Sequence, residues 1–553
     1  MKWRHVTAIL LALVVVPALS VFGRSSGASS ASIPHVRPGT LLTNTTFGAS
    51  TQLDQVDMLS PALGYALASQ SLGHDRYRYY LVRTTNLART WTVRGEIPSD
   101  DERYPIFSDF STVDSDPFLY FVNRDVGYVD GPSGSIYVTS DAGLTWSKVA
   151  DRDSSSGYGV VGSAASIVTT TCRTPHGSKT LLCHSRLNEY VAGTTRPERS
   201  SLIPDTRRDF RWDAALLAVA PDSTEIVNLD SDNLSTPTSL IISHDDGRSW
   251  VPLSNPCAQL MIEQLIVASD GQWLLSCFLD GGMYHGTAKI FRSIDGGVSW
   301  STVVDDTAQR NIVGNLGGTP AYLFFNGDDS TLYAAMMNPA GGLMTSTDGG
   351  TTWRADRVLG YTSGSPGSVS NYGPTSSIYQ VFQGPMYVTD NSRTWHLLPP
   401  LPAGRYRGLS ICTKQRVKVS LRHVKSGGLR YTYVDFTNTS DTRCYLDGTP
   451  TARLLSADSS YVGPPVTAVN NPIGNGFVTL AAHGGVASVA LLINPTSTYQ
   501  PPSTCRAKVA DTIRLSFDSP SSFTLPLGSR RLSTCTVMAN VGVANVRAGP
   551  GRP

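Results

Sequence analysis

The chain has 553 residues, of which 16% are charged and 40% hydrophobic, with 50 Gly, 34 Pro and a formal net charge of +2. Little charge and many turn formers describe a folded, turn-rich polypeptide, too long for one ordinary domain unless that domain is a large repeat ring. A coiled coil is excluded by the missing heptads and a multi-span membrane protein by the position of the one long apolar run, at the N-terminus.

The first predicted element is an export signal over 1–20. Lys2 and Arg4 precede an apolar run from Val6 to Val16, Pro17 breaks it, and Ala18-Leu19-Ser20 offers small residues for cleavage near Ser20. The competing reading is an uncleaved anchor running to Phe22. A low-complexity linker follows over 21–39.

A repeat then organises the chain. Four segments read S-x-D-x-G-x-[ST]-W in loose form. They carry Asp141, Gly143 and Trp146; Asp245, Gly247 and Trp250; Asp295, Gly297 and Trp300; Asp348, Gly350 and Trp353. Two worn copies end at Trp91 and Trp395, so six of nine Trp hold one repeat position. Each box has the chemistry of a hairpin turn. Asp bonds the backbone two residues on, Gly supplies positive φ, and Trp opens the next strand with a large apolar surface. The interval from Trp146 to Trp250 is 104 residues, twice the usual period, so one box is lost near residue 198. Seven units of about 50 residues predict a seven-bladed β-propeller over 40–398, with six blades and an insertion as the alternative.

These boxes resemble the Asp-box, or BNR/sialidase repeat. Openings such as Leu63-Gly64-Tyr65-Ala66 and Val126-Gly127-Tyr128-Val129 resemble propellers of the photosystem-assembly type. The resemblance implies that the boxes are structural and lie away from the ligand face.

A Pro-rich, basic linker is predicted over 399–411, then a disulfide-stapled β-sandwich of immunoglobulin-like kind over 412–543 and a disordered tail over 544–553. Strands alternate from Arg416 to Leu421 and from Tyr431 to Phe436. The four cysteines and the Cys444-Tyr445-Leu446-Asp447-Gly448 stretch resemble a four-cysteine domain of unknown function common in secreted actinobacterial proteins. Eight cysteines suit an oxidising compartment. Sequence neighbours would pair Cys172 with Cys183, Cys257 with Cys277, Cys412 with Cys444 and Cys505 with Cys535, the last two pairs being one of three connectivities.

Charge divides the chain. From Arg405 onward stand 17 Lys+Arg and six Asp, and Arg405 to Arg430 holds eight cations and no acid. Lys414, Arg416, Lys418 and Arg422 fall on one face of a strand by period two, opposite Val417, Val419 and Leu421. That stripe is either a face docked or solvated, or a contact for an anionic cell-envelope polymer; nucleic acid is not expected.

No metal or cofactor motif is present, and no Arg-Ile-Pro string of the sialidases. Asp100-Asp101-Glu102 beside Arg103 and Tyr104, and the run Arg76-Tyr77-Arg78-Tyr79-Tyr80, are the nearest groups to a glycosidase set. The sequons at Asn44, Asn233 and Asn438 are read as incidental. The expectation is an all-β, secreted or cell-surface, monomeric, non-catalytic binding or adhesion scaffold. It would need no cofactor and would take a protein or glycan ligand on the propeller. A divergent glycoside hydrolase is the alternative.

Overall fold

The structure is a computed structural model. It describes residues 35–550 apart from 49–50, 74–75, 99–118, 131–134, 152–157, 162–163, 174–181, 205–211, 220–224, 232–238, 258–259, 280–286, 306–319, 337–341, 356–368, 381–385, 400, 403, 406–407, 427–428, 447–449, 464–466, 469–477, 494–506, 518–521, 529–531, 537–540 and 544–545. The N-terminal signal and most of the following linker lie outside the described residues, as do Asp100–Tyr104, Cys505 and Asn233.

The first 400 residues build four-stranded antiparallel sheets, each a simple meander. The first sheet joins Gln52–Ser60, Leu63–Gly73, Arg76–Thr84 and Thr92–Glu96 in sequence order. Sheets of the same order occupy 119–151, 158–202, 212–253, 261–305, 320–355 and 369–397. This is the all-β architecture of a β-propeller. Short apolar strands with turn signals at both ends favour it, because each sheet has two faces to bury and finds a neighbour on either side. Val129, Leu119 and Phe121 of the second sheet, for example, share a core with Tyr79 and Leu81 of the first.

The opening strands of the sheets pack side by side. Gln52–Ser60 lies against both Leu119–Phe121 and Val369–Asn371, so the first sheet touches the second and the last. Polar side chains join these strands by bonding a neighbour's backbone. Gln264 donates to the Leu323 carbonyl at 3.0 Å and accepts the Leu323 N–H at 2.7 Å. Asn371 donates to the Phe325 carbonyl at 2.8 Å. At the seam of first and last sheets, Gln380 donates to the Leu53 carbonyl, and Ser370 Oγ accepts the Met58 N–H at 2.7 Å. Asp57 accepts the Phe121 N–H at 2.6 Å and the Ser370 hydroxyl at 3.3 Å, bridging three sheets.

The segment after His35 belongs to this fold, which shortens the expected linker of 21–39. Gly39 N–H donates to the Val93 carbonyl at 2.7 Å and Leu42 N–H to the Trp91 carbonyl at 2.8 Å, laying a strap along the outer strand of the first sheet. Asn44 then holds the chain leaving the last sheet: its N–H donates to the Pro402 carbonyl, and its Oδ1 accepts the Gly404 N–H at 2.7 Å.

Beyond Gly404 a second core forms. Val417–Ser426, Leu429–Asn438, Val486–Ile493 and Val541–Val543 lie in one sheet; Thr451–Leu455, Thr512–Ser516 and Ser522–Pro526 form another. Both contribute to a single apolar cluster. At its centre Phe436, Phe517 and Phe523 meet edge to face with centroids 5.3 to 6.1 Å apart. The tail expected to be disordered from 544 instead returns to this sheet. Arg547–Ala548 pairs with the start of Val486–Ile493, and Val546 is buried. An apolar residue followed by two free backbone partners outweighs the end-of-chain composition.

Burial pushes the Asp57 carboxyl up to about 6, against the hydrogen bonds from Phe121 and Ser370 that favour its ionised form. Its folded value thus exceeds the unfolded one. The stability it contributes is complete below about pH 4 and is lost as pH rises through about 6. Asp57→Asn keeps an acceptor for Phe121 without the charge. Thermal melts should find variant and wild type equal near pH 4, with the variant gaining up to about 2–3 kcal/mol by pH 8. Equal melting at both pH values would contradict this account of the seam.

Candidate functional site

Each box lies in the turn between the third and fourth strands of its sheet. In the fifth sheet, Ser293 Oγ donates to Asp295 Oδ1 at 2.8 Å and accepts the Gly297 N–H at 2.8 Å. Asp295 Oδ1 also accepts the Ser299 N–H at 2.9 Å, and Oδ2 accepts the Ser299 hydroxyl at 2.5 Å. Asp245 makes the same set with Ser243 and Ser249, Asp141 with Thr139 and Thr145, and Asp348 with Ser346 and Thr352. Both oxygens of every carboxylate are therefore engaged inside the turn.

Those bonds fix the charge. Hydrogen bonds from the Ser249 hydroxyl and N–H hold Asp245 at about 2, and those from Ser299 hold Asp295 at about 2. Burial acts upward on Asp141 and Asp348, yet the hydrogen bonds of Thr145 and Thr352 leave both below the ordinary value. A carboxylate so held stays ionised at any ordinary pH and is unsuited to donate a proton.

The box glycine explains why the motif recurs on sheet after sheet. Gly143 has φ +81°, and a Cβ there would stand 2.0 Å from Leu81 Cδ2 of the preceding sheet. At Gly247 the obstacle is Leu187 at 2.8 Å, and at Gly297 it is Leu253 at 2.9 Å together with Trp273 of its own sheet. The turn docks on the preceding sheet, and only a residue without a side chain allows that approach. The Arg199 guanidinium adds an ion pair across one such joint, 2.5 Å from Asp246.

The tryptophans do not all bury equally. Trp91 and Trp395, from the worn copies, are 0% and 1% exposed, and Trp353 is 7%. Trp146, Trp250 and Trp300 are half-buried. Trp395 stands edge-on to Tyr333 and Tyr379, with centroids 5.5 and 6.4 Å away. Trp300 instead lies tilted to Trp273 and donates its Nε1 to the Ser254 carbonyl at 3.1 Å. The unit without a box has its turn at 192–198, between Leu182–Val191 and Arg199–Leu202.

Other sequence candidates are placed as follows. Arg78 is buried, donating to Gln70 Oε1 at 3.2 Å and pairing with Glu96 at 3.3 Å, while the Tyr80 hydroxyl donates to the same Gln70 oxygen. Asn44 and Asn438 are buried at 3% and 0% exposure. Asn438 donates to the Thr442 and Leu480 carbonyls, so both sequon side chains are internal structural bonds. Cys257–Cys277 and Cys412–Cys444 are disulfides, and Cys535 is disulfide-bonded. Cys172 stands opposite Cys183 in the register of their strands. Among the described residues no group of three or more His, Cys, Asp or Glu is arranged to hold a metal ion.

The basic stripe needs correction. The strand begins at Val417, so Lys414 and Arg416 lie in the preceding turn, where Thr413 carbonyl accepts the Arg416 N–H at 2.9 Å. Arg422 is engaged: its Nε lies 2.5 Å from Asp435 Oδ2, and its guanidinium carbon sits 5.2 Å over the Tyr433 ring, its partner in the strand register. Period two holds only within a strand, and the turn fixed by Thr413 interrupts it before Val417. Lys414 and Lys418 remain exposed.

Trp395→Ala should destabilise the fold by about 3–5 kcal/mol, the range for a buried aromatic, and Trp300→Ala by about 1–2 kcal/mol for its smaller buried area. Denaturant titration ranks them; equal costs would contradict the difference in packing. The box carboxylates have depressed values, so their contribution is present above about pH 4 and is lost as pH falls through about 2. Asp295→Asn should therefore narrow its stability gap to wild type between pH 5 and pH 2.

Comparisons with known proteins bear on both parts of the chain. Residues 412–548 match the family model described as Domain of unknown function (DUF4232). No curated protein matches the chain. Among solved structures, YCF48 bound to D1 peptide is 14% identical, covering 65% of this chain and 99% of its own, with a TM-score of 0.39. YCF48 from Cyanidioschyzon merolae is 13% identical over the same shares, also at 0.39. The β-propeller domain of the Trilobed protease from Pyrococcus furiosus is 9% identical, covering 64% of this chain and 98% of its own, at 0.38. The chain is thus similar to YCF48 over about two thirds of its length, and residues 412–548 match a domain family of unknown function.

Proposed function

We propose that this protein is an exported, non-catalytic binding scaffold. Its platform is a seven-bladed β-propeller, joined to an immunoglobulin-like sandwich that contacts an anionic cell-envelope polymer. The observation that carries this reading is the state of the box carboxylates. The most repeated polar groups in the chain have both oxygens bonded within their own turns, and three of the four turns are wedged tightly on the preceding sheet. Repetition of that kind produces rigidity, which suits a platform for a protein or glycan ligand.

Seven sheets of one topology, with the first against the last, support seven blades over six. Two layers sharing one apolar cluster support the sandwich. Disulfides support an oxidising, extracellular compartment, and the apolar N-terminal run supports export. Lys414 and Lys418 replace the four-residue stripe as the polymer contact, since both are exposed and neither meets a carboxylate among the described residues.

Two measurements test the reading. Fluorogenic sialosides and common glycosides should show no turnover above buffer; turnover abolished by Asp101→Ala with folding intact would favour the glycoside hydrolase instead. The full mature protein should bind purified anionic cell-wall polymer, and raising salt from 0.05 to 0.5 M should weaken binding by about tenfold, because exposed charges are screened over a few ångströms at the higher value. Lys414→Glu with Lys418→Glu should weaken it to a similar degree. Salt-insensitive binding, or none, would remove the envelope contact.

A further inference from the structure

The sandwich has an open side. Val417–Ser426 pairs only with Leu429–Asn438, and Ser522–Pro526 pairs only with Thr512–Ser516, among the described residues. Between these two edges runs a groove of about 610 Å³. Its apolar lining comes from Val419, Leu421, Phe523 and Leu525 and its charged lining from Lys414 and Arg514, with no carboxylate among the described residues. Val419 and Leu421 are only partly buried, so the groove opens on the rim of the apolar cluster.

Charge at this place is unbalanced in a specific way. Arg514 stands directly opposite Arg453 in the register of Thr451–Leu455 and Thr512–Ser516. Like charges so placed repel. Neither guanidinium pairs with a carboxylate among the described residues; Arg453 instead lies 5.1 Å over the Tyr461 ring. Lys414 joins Arg514 as the second cation lining the groove, with Arg453 behind Arg514 on the neighbouring strand.

We propose that this groove binds an extended acidic peptide, laid along the free edge of Val417–Ser426. An edge strand offers a row of unpaired N–H and C=O groups, and a peptide backbone is the partner that satisfies them. Pro526 lacks an N–H, which leaves Val417–Ser426 as the pairing edge. The lined stretch from Val417 to Leu421 is about 16 Å long, room for about five residues of strand, although the Val417 N–H is already taken by the Thr413 carbonyl at 3.1 Å and the added strand would pair from Val419 onward. Side chains on one face of that peptide would cover Val419 and Leu421, so they are apolar; acidic residues between them or at the ends would meet Lys414 and Arg514. A phosphate polymer could answer the cations but neither the apolar floor nor the unpaired amides, and this favours the peptide. The proposal goes beyond the scaffold reading and is independent of the propeller.

The test uses the full mature chain and the fluorescent peptide DVEVDVE, with anisotropy as readout. Binding should be saturable, at least about tenfold tighter than for KVKVKVK, and lost by a similar factor when alternate amides of the probe are N-methylated. Lys414→Glu with Arg514→Glu should weaken the acidic probe at least about tenfold while the melting temperature stays within a few degrees. Val419→Ser and Leu421→Ser, tested singly, should each weaken it without reversing the charge preference. Three results overturn the proposal: no saturable binding, indifference to N-methylation, or displacement of the probe by poly(glycerol phosphate) that itself binds as tightly as the peptide. The last would leave the envelope contact standing and assign the groove to it; loss of polymer binding with peptide binding intact would remove the contact and leave the groove.

Discussion

A row of four-stranded sheets buries its faces only if it has no ends, so the seam between the first and last sheets governs the rest. A sheet at the end of an open row would expose one apolar face, and the neighbouring contacts would then lack their stabilising partner. Here the seam joins an apolar cluster, with Ile378 and Met386 of the last sheet packed among Leu53, Val56 and Met58 of the first, to a directional set of polar bonds. Asp57, Ser370, Met58 and Phe121 form one connected set of hydrogen bonds across three sheets, with Gln380 reaching Leu53 beside it. Apolar packing alone would allow the sheets to slide; side-chain bonds to a neighbour's backbone specify one register. The strap over 36–44 serves the same end from outside, because Asn44 ties the start of the folded chain to its exit at Pro402 and Gly404.

The boxes act in the other direction, along the row. Each makes a turn rigid by internal bonds, and three of them press that turn on the sheet before it through Gly143, Gly247 and Gly297. Strength is distributed unevenly, however. The two worn copies, with Asn86 and Asn391 in place of Asp, contain the most buried tryptophans, and they belong to the first and last sheets beside the seam. Asn391 still accepts the Thr394 N–H at 2.8 Å and Asn86 the Thr90 N–H at 2.9 Å. A neutral acceptor suffices where packing on Trp supplies the stability, so the motif can wear there without loss of the turn.

This pattern also determines what was legible in the sequence. The boxes were readable because turn chemistry recurs at a fixed period, and even the missing copy announced itself through a doubled interval; its turn lies at 192–198. The polar joints between sheets, the seam among them, were not readable. Asp57, Gln264, Ser370, Asn371 and Gln380 have no shared spacing, and each has its function only through a strand that is remote in sequence or newly adjacent through packing. The tail failed for a related reason: Val546 and Arg547–Ala548 look like loose composition until Val486–Ile493 is available to pair with them. The basic stripe failed because a period-two rule was extended past the strand's first residue, into a turn fixed by Thr413.

Edges show the same economy of design from the opposite side. Outer strands of the row run from two to five residues, two at Arg354–Ala355 and His396–Leu397, three at Val251–Leu253 and at most five at Ser147–Asp151 and Ser301–Asp305, which leaves limited backbone for a stray chain to pair with. The outer strand of the first sheet, Thr92–Glu96, is covered by the strap. Against that background the ten residues of Val417–Ser426 are an exception. The edge is long, its far side is apolar at Val419 and Leu421, and its exposed cations Lys414 and Lys418 repel other basic chains without repelling acidic ones. Lysines on an edge usually guard against association. Here Lys414, in the turn before the strand, shares the groove with Arg514, whose like-charged register partner Arg453 lets it gain from a carboxylate, so charges that exclude most strands select for one kind.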